Sequence, residues 1–152
     1  MTLTRRSLIA FSVSLPIAAV VGRPVLASTP QIYAENGIAV DGSDVVAYFT
    51  KGEPVVGSDS FTHDWRGATW RFSSEENRAA FIADPEAYAP QYGGYCAWAV
   101  SEGYTASTIP EAWRIVDGKL YLNFSRRVQQ RWERDIPARI EAADRNWPGV
   151  LA

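Results

Sequence analysis

Residues 60–73 read SFTHDWRGATWRFS, and this stretch decides the fold. Apolar and polar side chains alternate on both sides of Arg66-Gly67, which predicts antiparallel strands over residues 60–65 and 68–73 joined by a two-residue turn. Six side chains then share one face in three facing pairs: Trp65 with Ala68, His63 with Trp70, and Phe61 with Phe72. His63 is therefore expected in the middle of an aromatic face.

A helix is predicted directly after this hairpin. Ser73 is followed three positions later by Glu76, which is the spacing of a capping box with Ser73 as the N-cap. The helix should end before Asp84, because the residue that precedes a proline disfavours helical dihedrals. A short helical turn should follow between Pro85 and Pro90.

The same order of elements recurs 51 residues later. Residues 112–116 and 119–123 are predicted strands around Asp117-Gly118, a strong signal for a type I′ turn. The fold class is thus predicted to be α+β, with two β-β-α units packed with further helices. Duplication of one module, chance and convergence on a stable module each account for the overlay.

Three further helix starts are predicted, two of them from the capping residues Asp44 and Asp135. Asp44 precedes a short apolar segment, and Ser125 begins a stretch with apolar residues at steps of three or four. Asp135 lies two residues before Pro137, which predicts that the C-terminal helical stretch is divided into two helices.

The composition is that of a small globular domain. The chain has 152 residues, 47% hydrophobic and 21% charged, which provides enough apolar material for one core over residues 28–152. Three of the 15 basic residues lie in residues 1–27, which contain no acidic residue, so 12 basic side chains stand against 17 acidic ones in the rest. A mildly acidic domain does not attract nucleic acid by net charge. Cys96 is the only cysteine, which excludes an intrachain disulfide.

Residues 1–27 have the three parts of a bacterial export signal: a basic start, an apolar run and a small-residue site that ends at Ala27. The pair Arg5-Arg6 favours the twin-arginine route, which carries folded proteins. Export in the unfolded form and a retained membrane anchor are the alternatives, and the apolar run is too short to favour an anchor. We expect cleavage after Ala27 and a periplasmic or otherwise exported domain with no stable membrane anchor.

Two segments resemble the YHS domain, a small β-β-α module related to the TRASH metal-binding fingers: FSSEEN at residues 72–77 and FIADPEAY at residues 81–88. With YGGYCA at residues 92–97, the wider pattern is similar to the exported YHS-domain proteins of bacteria. The resemblance implies a metal-binding or metal-handling accessory protein. Metal-binding members carry a cysteine pair at the helix start, where this chain has Ser73 and Asn77, so that ligand set is not carried over.

Cys96 and His63 are the candidate metal ligands. Residues 97–100 are predicted as a helix, with a strand as the alternative, and a helix start favours the thiolate form of Cys96. Burial on an apolar face keeps His63 neutral, which is the form that binds metals. If the first hairpin packs against the cysteine segment, the two side chains meet. A carboxylate, Tyr92 or Tyr95 would then complete a site for Cu, Fe or Zn.

Other functions fit the same residues. His63 polarises Cys96 if the chain is a thiol-based redox or nucleophilic enzyme. A non-catalytic binding or scaffold module would instead use the Trp and Tyr side chains. In a purely structural interpretation, Cys96 and His63 are core residues. The sequence has no hydrolase, phosphate-loop or dinucleotide motif, so it leans away from an enzyme.

Overall fold

The computed structural model describes residues 28–152, and the predicted export signal lies outside the described residues. The described strands are β1 (Ala34–Glu35), β2 (Ile38–Ala39), β3 (Ser58–Trp65), β4 (Ala68–Phe72), β5 (Trp113–Val116) and β6 (Lys119–Leu122). The described α-helices are α1 (Val45–Thr50), α2 (Glu75–Ala83), α3 (Pro85–Tyr88), α4 (Ala97–Ser101), α5 (Arg126–Trp132) and α6 (Ile136–Asn146). The α+β class and both β-β-α units are therefore confirmed.

The first hairpin forms as predicted near its turn and differs at its far end. Strands β3 and β4 pair Trp65 with Ala68 and His63 with Trp70. The predicted pair of Phe61 with Phe72 is wrong, because a bulge in β3 brings Ser58 opposite Phe72. The bulge adjoins a close approach of two backbones: a Cβ on Gly57 would lie 2.5 Å from the carbonyl carbon of Arg71.

Two short strands extend the first hairpin into a four-stranded sheet with the order β1-β2-β4-β3. Strands β1 and β2 are antiparallel, whereas β2 runs parallel to β4 with Ile38 opposite Thr69. Strands β5 and β6 form a separate two-stranded sheet with the predicted turn, in which Asp117 and Gly118 both have positive φ.

The helix starts agree with the capping predictions except at one serine. Asp44, Ser125 and Asp135 each accept a hydrogen bond from the first turn of the predicted helix. The predicted cap Ser73 is wrong: Ser74 caps α2 by accepting from the Asn77 N–H at 3.1 Å. Ser73 is unavailable because its own N–H and hydroxyl bind the Asp44 carboxylate.

The two units match in backbone conformation as well as in order. The caps Ser74 and Ser125 have φ and ψ of −152° and 162°, and −157° and 165°. Asp84 and Asp135, which cap the next helices, have φ and ψ of −152° and 80°, and −152° and 70°. The repeat therefore includes the helix that follows each β-β-α unit.

The repeat also extends upstream of each hairpin. Three consecutive residues with positive φ, Val40 to Gly42 in the first half and Tyr92 to Gly94 in the second, precede the short helices α1 and α4. Asp44 is the N-cap residue of α1, and Cys96 is the N-cap residue of α4. Each half of the domain is thus a short helix, a hairpin and two further helices.

A single core joins the two halves. Its largest fully buried side chains include Trp70 and Phe81 from the first half and Leu120 and Trp132 from the second. Phe81 and Trp132 occupy the same position in the repeat, two residues before the end of α2 and at the end of α5. No helix within residues 28–152 has the length and apolar character needed to cross a bilayer.

Candidate functional site

In the first half of the domain, a buried carboxylate joins the start of α1 to the start of α2 by hydrogen bonds. Asp44 Oδ1 accepts from the N–H groups of Val46 and Ala47 at 3.0 and 3.3 Å. Asp44 Oδ2 accepts from the Ser73 N–H at 2.8 Å, the Ser73 hydroxyl at 2.6 Å and Asn77 Nδ2 at 2.7 Å. We call Asp44, Ser73 and Asn77 the Asp44 cluster. Ser73 and Asn77 stand at the positions where the YHS resemblance places metal-binding cysteines. In this chain both side chains donate hydrogen bonds to Asp44 instead.

In the second half, Cys96 and Asn123 together accept hydrogen bonds that correspond to some of those accepted by Asp44 in the first half. Cys96 Sγ accepts from the Phe124 N–H at 3.2 Å, as Asp44 accepts from the N–H of Ser73, 51 residues earlier. Asn123 Oδ1 accepts from the Trp98 N–H at 3.1 Å and from the Cys96 thiol at 3.6 Å. Asn123 therefore caps α4 from outside the helix, because the thiol of the N-cap residue makes no capping bond.

The polar side chains of the Asp44 cluster have apolar counterparts in the second half. Phe124 stands 51 residues after Ser73, and Val128 stands 51 residues after Asn77. Instead of a closed cluster, these positions border a half-open cleft of about 300 Å³. We call this the Cys96 cleft; its lining residues are Cys96, Trp98, Ala99, Tyr104, Ala106, Phe124, Val128 and Arg131.

The rim and the base of the Cys96 cleft differ in exposure. Tyr104 and Phe124 are exposed aromatic residues, with 51% and 52% of their surface accessible. Cys96 at the base is only 1% exposed. Burial raises the pKa of the Cys96 thiol, and the backbone N–H groups around it oppose that shift only in part. Cys96 is therefore a neutral thiol at pH 7, where it forms part of an apolar wall.

His63 lies in the other half of the domain. It is paired with Trp70 across the first hairpin, and its ring centroid lies 6.3 Å from that of Phe81. No hydrogen bond joins His63 to Cys96 in the part of the chain that the structure describes. In those residues, no group of three or more His, Cys, Asp and Glu side chains is placed to hold a metal ion. His63 thus occupies the expected aromatic face, while Cys96 contacts residues of the second half.

The two tyrosines considered as auxiliary ligands are engaged in other hydrogen bonds. The Tyr92 hydroxyl donates to Asp144 Oδ1 at 2.8 Å, and the Tyr95 hydroxyl donates to the Pro30 carbonyl at 2.8 Å. Burial raises the pKa of both phenols, and the hydrogen bond to Asp144 raises that of Tyr92 further. Both side chains are therefore held as neutral donors rather than as phenolate ligands.

Sequence reasoning missed most of the residues that form the Cys96 cleft. The signal that could have found them is the 51-residue overlay, which places Phe124 and Val128 where the first half has Ser73 and Asn77. At two matched positions the first half has a polar residue and the second half an apolar one. Such a pair of differences indicates a place where the two halves differ in structure.

Comparisons with known proteins identify no family for this chain: no family model matches it, and no curated protein and no solved structure is significantly similar to it. The fold and the site define it as an α+β domain of two repeated halves with an apolar cleft in one of them.

Proposed function

We propose that this chain is a non-catalytic binding protein and that its ligand site is the Cys96 cleft. The observation that carries the proposal is the difference between the halves: where the Asp44 cluster closes the first, Phe124 and Val128 leave a cleft in the second. A volume of about 300 Å³ is at the lower end of the range for small-molecule pockets. The expected ligand is therefore small and largely apolar.

The chemistry of the lining supports binding rather than catalysis. Aromatic side chains that are half exposed beside a cavity provide contact area at low entropic cost, and Tyr104 and Phe124 have this arrangement. A buried thiol with a raised pKa is a poor nucleophile at neutral pH, and among the described residues no base is hydrogen-bonded to Cys96. The enzyme interpretation of Cys96 and His63 therefore has no support from this geometry.

The neutral dye N-phenyl-1-naphthylamine tests the proposal, because its fluorescence rises when it enters an apolar site. We expect saturable binding by residues 28–152. Phe124→Ala removes one wall and Val128→Trp fills the cleft, and each should weaken binding at least tenfold. Ile82→Ala is the matched control, since Ile82 is a 41% exposed apolar residue on α2 in the first half. Unchanged affinity in both cleft variants would overturn the proposal.

The competing proposal is metal handling by a YHS-type module, with Cys96 and His63 as ligands. It is supported by the sequence resemblance and by the position of a soft thiol at the base of an open cleft. Titration with Cu(I), Cu(II), Fe(II) and Zn(II) compares the wild type with Cys96→Ser and His63→Ala. Loss of one equivalent in both variants supports this proposal, whereas equal stoichiometry in all three proteins removes the ligand assignment.

We also propose that residues 1–27 direct export, which rests on the sequence pattern alone. Replacement of Arg5 and Arg6 by lysines keeps the charge and removes the arginine pair. If the twin-arginine route is used, the precursor should accumulate inside the cell. Normal export of this variant would favour the route for unfolded chains.

A further inference from the structure

We infer that the ligand of the Cys96 cleft is a small amphiphile with a carboxylate, whose charged group binds Arg131 while its apolar part fills the cleft. This inference rests on the proposed function and adds the chemical class of the ligand. Within residues 28–152, Arg131 is the one charged residue that lines the Cys96 cleft, and it lies three residues after Val128 on the same face of α5.

Arg131 is available for a ligand. It is exposed and makes no ion pair or side-chain hydrogen bond in the part of the chain that the structure describes, whereas five other arginines pair with glutamates. The acidic residues that follow it in sequence have partners of their own. Glu133 accepts from Arg114 and Gln129, and Asp135 accepts from the Ala138 N–H.

The positive charge at this end of the cleft is not limited to one residue. Arg127 lies four residues before Arg131 and Arg134 three residues after it, so the three guanidinium groups share one side of the helical segment. Arg127 and Arg134 are also exposed and have no ion pair within residues 28–152. Although the whole chain carries a net charge of −2, the local field at the cleft favours an anion.

The chemistry of the Arg131 side chain suits a carboxylate. A guanidinium binds a carboxylate through two parallel hydrogen bonds, which fixes the orientation of the ligand. The remaining lining residues are mostly apolar, and the volume of about 300 Å³ accommodates a short alkyl chain or a small aromatic ring system. Octanoate is a suitable probe because 1-octanol has the same apolar body without the charge.

Displacement of N-phenyl-1-naphthylamine by octanoate and by 1-octanol tests the inference. In the wild type, octanoate should compete at least tenfold more strongly than octanol. Arg131→Gln should abolish this difference, and Arg131→Lys should retain part of it, because lysine keeps the charge but not the paired hydrogen bonds. Arg126→Gln is the control for net charge; Arg126 is exposed, begins α5 and does not line the cleft.

The possible failures are distinguishable. If the dye binds and octanol displaces it as well as octanoate does, the ligand is not a carboxylate and the proposed function survives. If Arg126→Gln weakens octanoate as much as Arg131→Gln does, the preference reflects net charge and the assignment of Arg131 is wrong. If the dye does not bind, the proposed function itself fails.

Discussion

Asp44 and Cys96 occupy the same position in the two halves of the domain. Each is the N-cap residue of a short helix, and each accepts a hydrogen bond from the backbone N–H of a residue shortly after a hairpin, Ser73 or Phe124. The carboxylate collects five hydrogen bonds, whereas the thiol accepts one from Phe124 and relies on Asn123 for the helix cap. This exchange of residue type accompanies the opening of the Cys96 cleft.

Asp44→Asn should strongly destabilise the domain. The amide replaces a carboxylate oxygen by a donor that faces other donors, so buried N–H and O–H groups lose their acceptor. Because hydrogen bonds to charged groups contribute about 1.5–3 kcal/mol each, we expect a loss of about 3 kcal/mol in the free energy of unfolding, measured with urea. Asp59→Asn, at an exposed position without a side-chain hydrogen bond in the described residues, should change stability by about 0.5 kcal/mol or less.

The matched caps Ser74 and Ser125 should contribute equally to stability. Each accepts one hydrogen bond from the backbone three residues later, at 3.1 and 3.2 Å, in the same backbone conformation. Alanine at either position should lower the free energy of unfolding by about 1 kcal/mol. If the two losses in the free energy of unfolding differ severalfold, the matched caps are alike in geometry but not in their contribution to stability.

Cys96 should react slowly with alkylating reagents in the folded protein. Its thiol is buried and its pKa is raised by that burial, so little thiolate is accessible at neutral pH. Iodoacetamide should modify it at least a hundredfold faster in urea than in buffer, as followed by mass spectrometry. Equal rates in the two conditions would contradict the buried thiol.

Two replacements of Cys96 distinguish the contribution of its packing to stability from that of its hydrogen bond. Cys96→Ser keeps an acceptor for the Phe124 N–H, whereas Cys96→Ala leaves that N–H without one. The alanine variant should therefore be less stable than the serine variant by about 1 kcal/mol in urea unfolding. The reverse order would indicate that apolar packing of the sulfur outweighs its hydrogen bond.

Stability should fall in alkaline solution. Burial raises the pKa of Tyr92, and it raises that of Tyr121 to about 12, so the unfolded chain releases phenol protons at a lower pH than the folded one. The stabilisation is complete below the unfolded pKa of about 10 and is lost as pH rises, by about 1.4 kcal/mol per pH unit for each such group. Tyr92→Phe should make the decline less steep by about that amount between about pH 11 and 12.

The free energy of unfolding of Tyr92→Phe at neutral pH is the control for its behaviour in alkaline solution. There the phenol is protonated in both states, so Tyr92→Phe reports only the loss of its hydrogen bond to Asp144. A decline in alkaline solution as steep as that of the wild type would show that Tyr92 ionises as readily in the folded protein as in the unfolded chain.

The hairpins were predictable because their signals are local. The alternation around Arg66-Gly67 and the Asp117-Gly118 turn set the register near each turn, and the structure agrees there. The bulge in β3 was not predictable, because it adjoins the close approach of Gly57 to Arg71, which are distant from each other in sequence. The two-residue strands β1 and β2 are too short to carry a periodic pattern.

The site was harder to predict than the fold. Ser73 and Ser74 are adjacent, and from the sequence either serine could cap α2. A long-range contact between Ser73 and Asp44 decides that Ser74 is the cap. Asn123 is likewise fully buried beside Cys96, although nothing near it in sequence indicates a partner. Pairing of chemically rare residues such as Cys96 and His63 is a weak guide to proximity, because scarcity says nothing about where the chain brings a residue.

The Asp44 cluster and the Cys96 cleft lie in different halves of the domain, so the surface of the cleft can diverge in evolution without loss of the buried hydrogen bonds. Substitutions at Tyr104, Phe124 or Val128 leave the five hydrogen bonds of Asp44 intact. A library randomised at those three positions should therefore yield mostly soluble, cooperatively folding proteins. Such tolerance would make the second copy a natural starting point for engineering new receptors.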